Sequence, residues 1–318
     1  MRCALVLPCL ALLLAACGPE APPPCLDRVG QAPDGAYVRS AEVDGDRRRV
    51  VYADGRVVRV PLDPRRIVST LPGLTEIVAS LGALDRLVAI TEHCDRPRET
   101  EGIRRISVMP FDLETLADVE ADLVLVDPIL NTDAVPAKGG PAFLALESRT
   151  LAHLLTTVEL LAAVLGTEEA RLGALRFEAG LNLARIAAAP EPDAVPPRVL
   201  LLAESDPLYV LGPGSLLDDM LRQCGAVNVA CDLGRASGPF AEELVLARRP
   251  DWILALDGRP DAALLARWAS VPAVAEGRVA SGAADDLLRA APRIPAALVR
   301  LADVLHGRRP PEALEGAR

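Results

Sequence analysis

One sequence unit occurs twice in this chain, on either side of a single long helix pattern. That duplication limits the folds open to it. In the first copy the segment that starts at Phe111-Asp112 and runs through Glu114-Thr115-Leu116-Ala117-Asp118 reads as an Asp-capped helix, and Asp122 opens the apolar run Leu123-Val124-Leu125-Val126. In the second, Glu243-Leu244-Val245-Leu246-Ala247 reads as helix, Arg249-Pro250 as the break, and Asp251 opens Trp252-Ile253-Leu254-Ala255. Each Glu precedes its Asp by eight residues. Short continuous apolar runs between turn signals read as buried strands of a parallel sheet. Between the copies, 167–189 has Thr167 as N-cap, Glu168 and Glu169 in a first turn where the helix dipole favours acids, and Pro190 as the stop. Two matching half-sheets joined by one helix predict an α/β protein with a cleft between two lobes.

The remaining elements fit that plan. Ile67 to Thr70 is a β-branched run ending at a Pro72-Gly73 turn. Thr75 is placed to cap a helix whose apolar face is Leu74, Ile77, Val78 and Leu81, with Gly82 closing it. Leu87 to Thr91 is a second strand, and the loop Glu92 to Pro97 leaves its carboxyl end, where open α/β sheets bind ligands. Thr150 to Gly166 has the apolar stripe of an amphipathic helix. In the second half Arg198 to Ala203 is a strand, Ser215 caps the helix Leu216 to Cys224, Gly225 ends it, and Ala226 to Ala230 is a short strand. Ahead of the lobes, two β-rich runs flank Asp54-Gly55, a strong hairpin signal, and Asp44-Gly45 marks a further turn.

Several motifs carry a family resemblance. They are the Arg65-Arg66 strand with its Pro72 turn, the Thr75-Glu76 helix, the Leu81-Gly82 stop and the Cys94-Asp95-x-Pro97 loop, then Asp206-Pro207-Leu208-Tyr209-Val210 and Gly212-x-Gly214-Ser215. In this order, from about Arg65 to His306, the chain resembles the substrate-binding proteins of ABC importers for cobalamin, haem and ferric siderophores. The resemblance implies two Rossmann-like lobes of mostly parallel sheet joined by one long rigid α-helix. It implies a ligand cleft between the lobes and delivery of a metal chelate to a permease dimer driven by a cytoplasmic ATPase. The expected organisation is signal peptide 1–16, lipidated tether 17–36, hairpin extension 37–63, N-lobe 64–166, interlobe helix 167–189, C-lobe 190–308 and tail 309–318.

Site residues follow from the same likeness. Glu114 and Glu243 match the acidic residues with which relatives dock on permease arginines; the alternative is a first-turn glutamate favourable to the helix dipole. His93 stands where some relatives place a ligand-contacting tyrosine, and a neutral imidazole there could be an axial ligand of a bound cobalt or iron; the alternative is an ordinary loop histidine. Cys94 is a soft ligand or a structural thiol. Asp285 and Arg289 match cleft positions that contact ligand side chains, or form a helical ion pair. Cobalamin-binding relatives line the cleft with tryptophan and tyrosine, whereas Met109, Pro110 and Asp127 stand at the nearest positions here. Phe111, Tyr209 and Phe240 are the aromatics near loop ends that could face the cleft, in a chain only 3% aromatic.

The amino terminus has Arg2, an apolar stretch from Ala4 to Ala16, and Leu14-Ala15-Ala16-Cys17, which looks like a lipoprotein signal. Cleavage there would leave a lipidated Cys17 on a stiff GPEAPPP tether, at the periplasm or cell surface; the alternative is an ordinary signal peptide. A net charge of −10 without a basic cluster argues against nucleic acid as a partner, and a monomer is expected. Cys25, Cys94, Cys224 and Cys231 remain to pair in an oxidising compartment, with Cys224–Cys231 the first expectation and buried free thiols the alternative. There is no P-loop, G-x-S-x-G, H-E-x-x-H or C-x-x-C, and His93, His153 and His306 have no ligand spacing. No intrinsic cofactor and no catalysis are expected. The alternatives are a metal-dependent periplasmic enzyme or a sensor lipoprotein on the same architecture.

Overall fold

The computed structural model describes residues 37–107, 113–128, 140–281 and 284–314, with Leu113, Ala284 and Asp285 described by backbone alone. The chain enters as an antiparallel meander of β1 (Val38–Asp44), β2 (Arg47–Tyr52) and β3 (Val57–Pro61). Its two turns carry Gly45 and Gly55 at φ 65° and 90°, the left-handed backbone that hairpin turns demand. The meander is fixed to the next sheet through the buried Tyr52, whose hydroxyl donates to the Ala145 carbonyl and accepts from the Ala145 amide, both at 3.0 Å.

The N-lobe is a five-stranded parallel sheet. Its strands are β4 (Ile67–Ser69), β5 (Leu87–Thr91), β6 (Arg104–Ile106), β7 (Leu123–Val126) and β8 (Ala142–Ala145), in the order β6-β5-β4-β7-β8. Helix α1 (Pro72–Ser80) follows β4, and α2 (Leu113–Asp118) precedes β7. Every residue of β4 and β7 is buried, as a parallel sheet covered on both faces requires. Helix α1 begins differently from the sequence expectation. Pro72 occupies its first turn, the cap position is Leu71, and Thr75 is buried, donating instead to Ser69 Oγ at 2.9 Å. A proline at the first helical position has its φ already set for the helix and carries no N–H there to be left unpaired, so the helix starts at Pro72 without a side-chain cap.

Helix α3 (Leu151–Leu165) is capped by Thr150 and ended by Gly166 at φ 70°, and α4 (Glu168–Ala188) is capped by Thr167, as expected. The 21 residues of α4 span about 32 Å. They bury Ala170, Ala174, Phe177, Leu181, Ala184 and Ala188, an apolar seam of alternating four- and three-residue steps.

The C-lobe sheet holds β9 (Arg198–Ser205), β10 (Leu208–Leu211), β11 (Val227–Asn228), β12 (Ser237–Pro239), β13 (Trp252–Ala255) and β14 (Val279–Ser281). The order is β12-β10-β9-β13-β14, with β11 alongside the start of β9 and only β10 antiparallel to its neighbours. Its helices are α5 (Leu216–Gln223), capped by Ser215, α6 (Glu242–Arg248), α7 (Ala262–Arg267), α8 (Pro272–Ala275) and α9 (Ala284–Leu288). A separate core gathers Leu200, Val245 and Ile253 around the fully buried Trp268. Last comes α10 (Ile294–Leu305), which packs along α4 and, through Ile294, Leu298 and Leu301, joins the large core that the N-lobe shares with α5 and one face of the C-lobe sheet.

The repeated unit reappears as one physical device. Asp122 Oδ2 accepts from the amides of Arg65 and Arg66 at 2.7 and 3.1 Å, and Asp251 Oδ2 accepts from the amide of Arg198 at 2.8 Å. Each aspartate thereby ties the central strand of its lobe to the next. Two residues earlier, Glu120 and Arg249 both take the left-handed conformation, at φ 47° and 45°. Helix, left-handed residue, aspartate and strand are thus copied between lobes.

The cysteine expectation is corrected. Cys224 is a free, fully buried thiol, pushed up to about 12 by burial, so it does not pair with Cys231. Cys231 is disulfide-bonded, and its partner lies outside the described residues. Two histidines are structural. His153 meets the Tyr37 ring edge-on at 5.5 Å, and His306 Nε2 lies 2.9 Å from the Cys224 carbonyl.

Candidate functional site

The carboxyl ends of the two sheets meet. Gly73, at the start of α1, lies so close to Ala290 that a Cβ there would stand 2.4 Å from the Ala290 carbonyl. On the N-lobe side the loop leaving β5 is rigidly staked. Cys94 Sγ lies 3.2 Å from both Thr91 Oγ1 and Thr75 Oγ1. Thr100 Oγ1 donates to the Cys94 and Pro97 carbonyls, and Arg105 Nη1 donates to the carbonyls of Thr91 and Cys94 at 3.1 and 2.8 Å. Cys94 is fully buried, so its surroundings fit the structural thiol, not a ligand contact. Staking it turns the neighbours outward, and His93 and Asp95 are exposed.

Asp95 Oδ1 accepts from Arg289 Nη1 at 2.5 Å, a bond from one lobe to the other. That hydrogen bond holds the Asp95 carboxyl below the usual range. Behind it, Arg293 Nη1 donates to Glu76 Oε2 at 2.5 Å and Arg293 Nε stands 3.2 Å from Asp286 Oδ1. Asp286 also meets Arg96 at 3.4 Å and Arg300 at 3.0 Å. Burial pushes the Glu76 carboxyl up, outweighing Arg293 and Arg289 beside it. In the sequence Glu76 stands out only within the Thr75-Glu76 helix motif, and Asp286, Arg96, Arg293 and Arg300 do not stand out, because partners in this network lie up to 217 residues apart. A pocket of about 700 Å³ opens beside this network, lined by Glu76, Ser80, Asp95, Arg96, Arg98 and Arg293 among others.

The other expected cleft residues are less gathered. Asp127, at the carboxyl end of β7, and Tyr209, on β10, are half-buried. Phe240 packs against the C-lobe core with the Arg248 guanidinium 5.3 Å from its ring centroid, and Arg248 is held by both oxygens of Asp232. Phe240 is therefore occupied by its own lobe. Met109, Phe111, Cys17 and the side chain of Asp285 lie outside the described residues.

Glu114 and Glu243 are both exposed in the first turns of α2 and α6. In a parallel sheet a connecting helix starts at the carboxyl edge, so both carboxylates stand at the rims of their lobes on the side where the sheets meet. The adjacent Glu242 behaves differently: it accepts from Arg267 at 2.9 Å and from Trp268 Nε1 at 3.1 Å. The eight-residue spacing thus selected the glutamate that has no partner among the described residues.

Among the described residues no group of three or more His, Cys, Asp or Glu is gathered to hold a metal ion, and no helix is long and apolar enough to cross a membrane.

Known proteins share this architecture. The chain is 23% identical over 266 residues to an uncharacterized ABC transporter substrate-binding lipoprotein, YvrC, of Bacillus subtilis (strain 168), covering 80% of this chain and 84% of the relative. It is 24% identical over 204 residues to a vitamin B12-binding protein of Pectobacterium carotovorum subsp. carotovorum (strain PC1), covering 62% and 73% of the two chains. Among solved structures it superposes on the periplasmic heme-binding protein RhuT from Roseiflexus sp. RS-1 with a TM-score of 0.65 at 25% identity, covering 79% of this chain and 99% of that one. Residues 67–285, both lobes and the helix between them, match the family described as periplasmic binding protein, and the chain belongs to that family.

Proposed function

We propose that this protein is the extracytoplasmic receptor of an ABC importer that takes up a metal chelate of the corrinoid, haem or ferric-siderophore class. The observation that carries the reading is the convergence of both sheets' carboxyl ends, with Asp95 of one lobe bonded to Arg289 of the other. Relatives are named for vitamin B12 and for heme, which supports the ligand class. The exposed Asp95 and the half-buried Arg289 paired with it offer polar contacts to a chelate's carboxylate or amide arms. His93, exposed on the staked loop, offers one ring nitrogen to the metal of the cargo. Glu114 and Glu243 engage one arginine on each permease subunit. Cys17 carries the lipid anchor; the Leu14-Ala15-Ala16-Cys17 sequence and the lipoprotein name of the Bacillus relative support it.

Native mass spectrometry of the purified protein against corrinoids, haem and ferric siderophores tests the reading. One chelate retained at a ratio of one to one is the expected result. Retention of none of the three classes would sink the ligand assignment.

A further inference from the structure

Cys231 is disulfide-bonded, and neither of the other described cysteines is its partner. Cys94 and Cys224 are free thiols, both fully buried, one held between Thr75 and Thr91 and the other in the core beside α10. The chain has seven cysteines, which leaves Cys3, Cys9, Cys17 and Cys25, all outside the described residues. The next step rests on the amino terminus proposed above. Cys3 and Cys9 leave with the signal peptide, and the Cys17 sulfur carries the lipid. Cys25 remains.

The C-lobe holds Cys231 firmly in place. It follows the short strand β11, half-buried at the edge of the C-lobe core, and its amide donates to the Asn228 carbonyl at 3.1 Å. Arg248 clamps the loop on both sides of it, donating to the Val229 carbonyl and to both oxygens of Asp232. The amino-terminal segment enters the described fold within reach of this loop. Tyr37 is hydrogen-bonded to Thr157 of α3 at 2.7 Å. The first amide of α3, on Leu151, donates to Asp219 of α5 at 2.8 Å, and the neighbouring Asp218 accepts from Asn228 at 3.0 Å, three residues before Cys231. Within that path the six residues of α3 take up about 9 Å, and the other joints are between hydrogen-bonded neighbours. Tyr37 stands twelve residues after Cys25, a reach of up to about 40 Å.

We infer that Cys25 and Cys231 form a disulfide that fastens the amino-terminal tether to the C-lobe. Two thiols become one S–S bond and give up two protons and two electrons. A disulfide oxidant of the oxidising compartment accepts them, its own S–S bond being reduced to two thiols. The closed loop contains the whole N-lobe and α4, so the bond joins the lobes once more. It also shortens the leash. Cys17 to Tyr37 is twenty residues, up to about 70 Å, whereas Cys17 to Cys25 is eight, about 30 Å. The receptor is then held by its C-lobe, within less than half the reach.

Peptide mapping of the purified full chain without reductant tests the pairing. The expected result is one cross-linked pair holding Cys25 and Cys231, lighter by two hydrogen atoms than the two reduced peptides together, with Cys94 and Cys224 alkylated only after unfolding. Cys25→Ser should expose one further thiol, at Cys231. A second measurement reads the leash. A site-specific protease sequence inserted after Gly30 lets the tether be cut between Cys25 and Tyr37. The cut, membrane-held protein should stay in the detergent phase until a reductant is added, whereas the cut Cys25→Ser protein should leave at once. Partition of the uncut protein reads the lipid anchor separately, and the same peptide map in Cys17→Ser decides the pairing whether or not a lipid is present. Three results would overturn the inference: an unpaired Cys231, Cys231 bonded to Cys17 or to a second copy of the chain, or release of the cut protein without reductant while the uncut protein is retained.

Discussion

Reversing Glu114 and Glu243 to Arg together should break docking on the permease while leaving the ligand cleft alone. Both carboxylates are solvent-exposed, so the dielectric of water applies: a unit pair about 4 Å apart is worth about 1 kcal/mol. Turning an attraction into an equal repulsion moves each contact by about 2 kcal/mol, and two ends by about 4 kcal/mol. At about 1.4 kcal/mol per decade that is close to a thousand-fold in affinity, shrinking as salt screens it. The assay is binding of the purified receptor to its permease in nanodiscs, read by interferometry, beside chelate binding measured on the receptor alone. A matched pair of single variants sharpens it. Glu243→Gln should weaken docking about five-fold. Glu242→Gln should leave docking near wild type, since that carboxylate is spent on Arg267 and Trp268. Wild-type docking by the double reversal would refute the assignment. So would equal losses in the two Gln variants, or a parallel loss of chelate binding.

Cys17→Ser should move the protein from the detergent phase to the aqueous phase in a partition experiment; unchanged partition would end the lipid-anchor reading. If the chelate-bound protein shows an axial nitrogen in its absorption spectrum, His93→Ala should remove it, and an identical spectrum would exclude His93. Arg289 holds the Asp95 carboxyl low, so its stabilising contribution is present above the unfolded value near 4 and is lost as the pH falls through the lower folded value. Urea midpoints of wild type and Asp95→Asn should accordingly differ by a constant amount at neutral pH and converge in acid; a gap that persists in acid would show that the bond is not the cause. Gly73→Ala would press a methyl group onto the Ala290 carbonyl, backbone against backbone, and should cost about 1–3 kcal/mol in a denaturation curve. Unchanged stability would mean that the contact between lobes yields freely.

What could be read from the chain beforehand was whatever local chemistry decides. Thr167 and Ser215 cap their helices because a hydroxyl three residues ahead of a free amide needs nothing else. The Asp54-Gly55 turn and the paired Glu-to-Asp spacings are equally local. Thr75 failed as a cap because Pro72 had already begun the helix, and tertiary contacts to Ser69 and Cys94 claimed its hydroxyl. Cys224 lies seven residues from Cys231, yet α5 places it in the core, pointing at α10, where its thiol stays free. The Glu76–Arg293 and Asp95–Arg289 bonds join residues 217 and 194 apart, and no pattern within either segment announces the other. The cleft's location was therefore legible from topology, while the charges that line its edge required the fold.

Helix α10 lies along α4, and the segment leading into it is bonded to Glu76 and Asp95 on the opposite lobe. The last helix thus acts as a splint across the joint, and bending α4 would have to strip both bonds as well as the shared core. A receptor splinted in this way offers nearly the same outline empty and loaded. A permease cannot then tell the two by the angle between lobes and must sample the mouth of the cleft instead. On the proposed function, an empty receptor would occupy the same landing place as a loaded one, so flux would follow the loaded fraction and an excess of receptor over cargo would slow uptake.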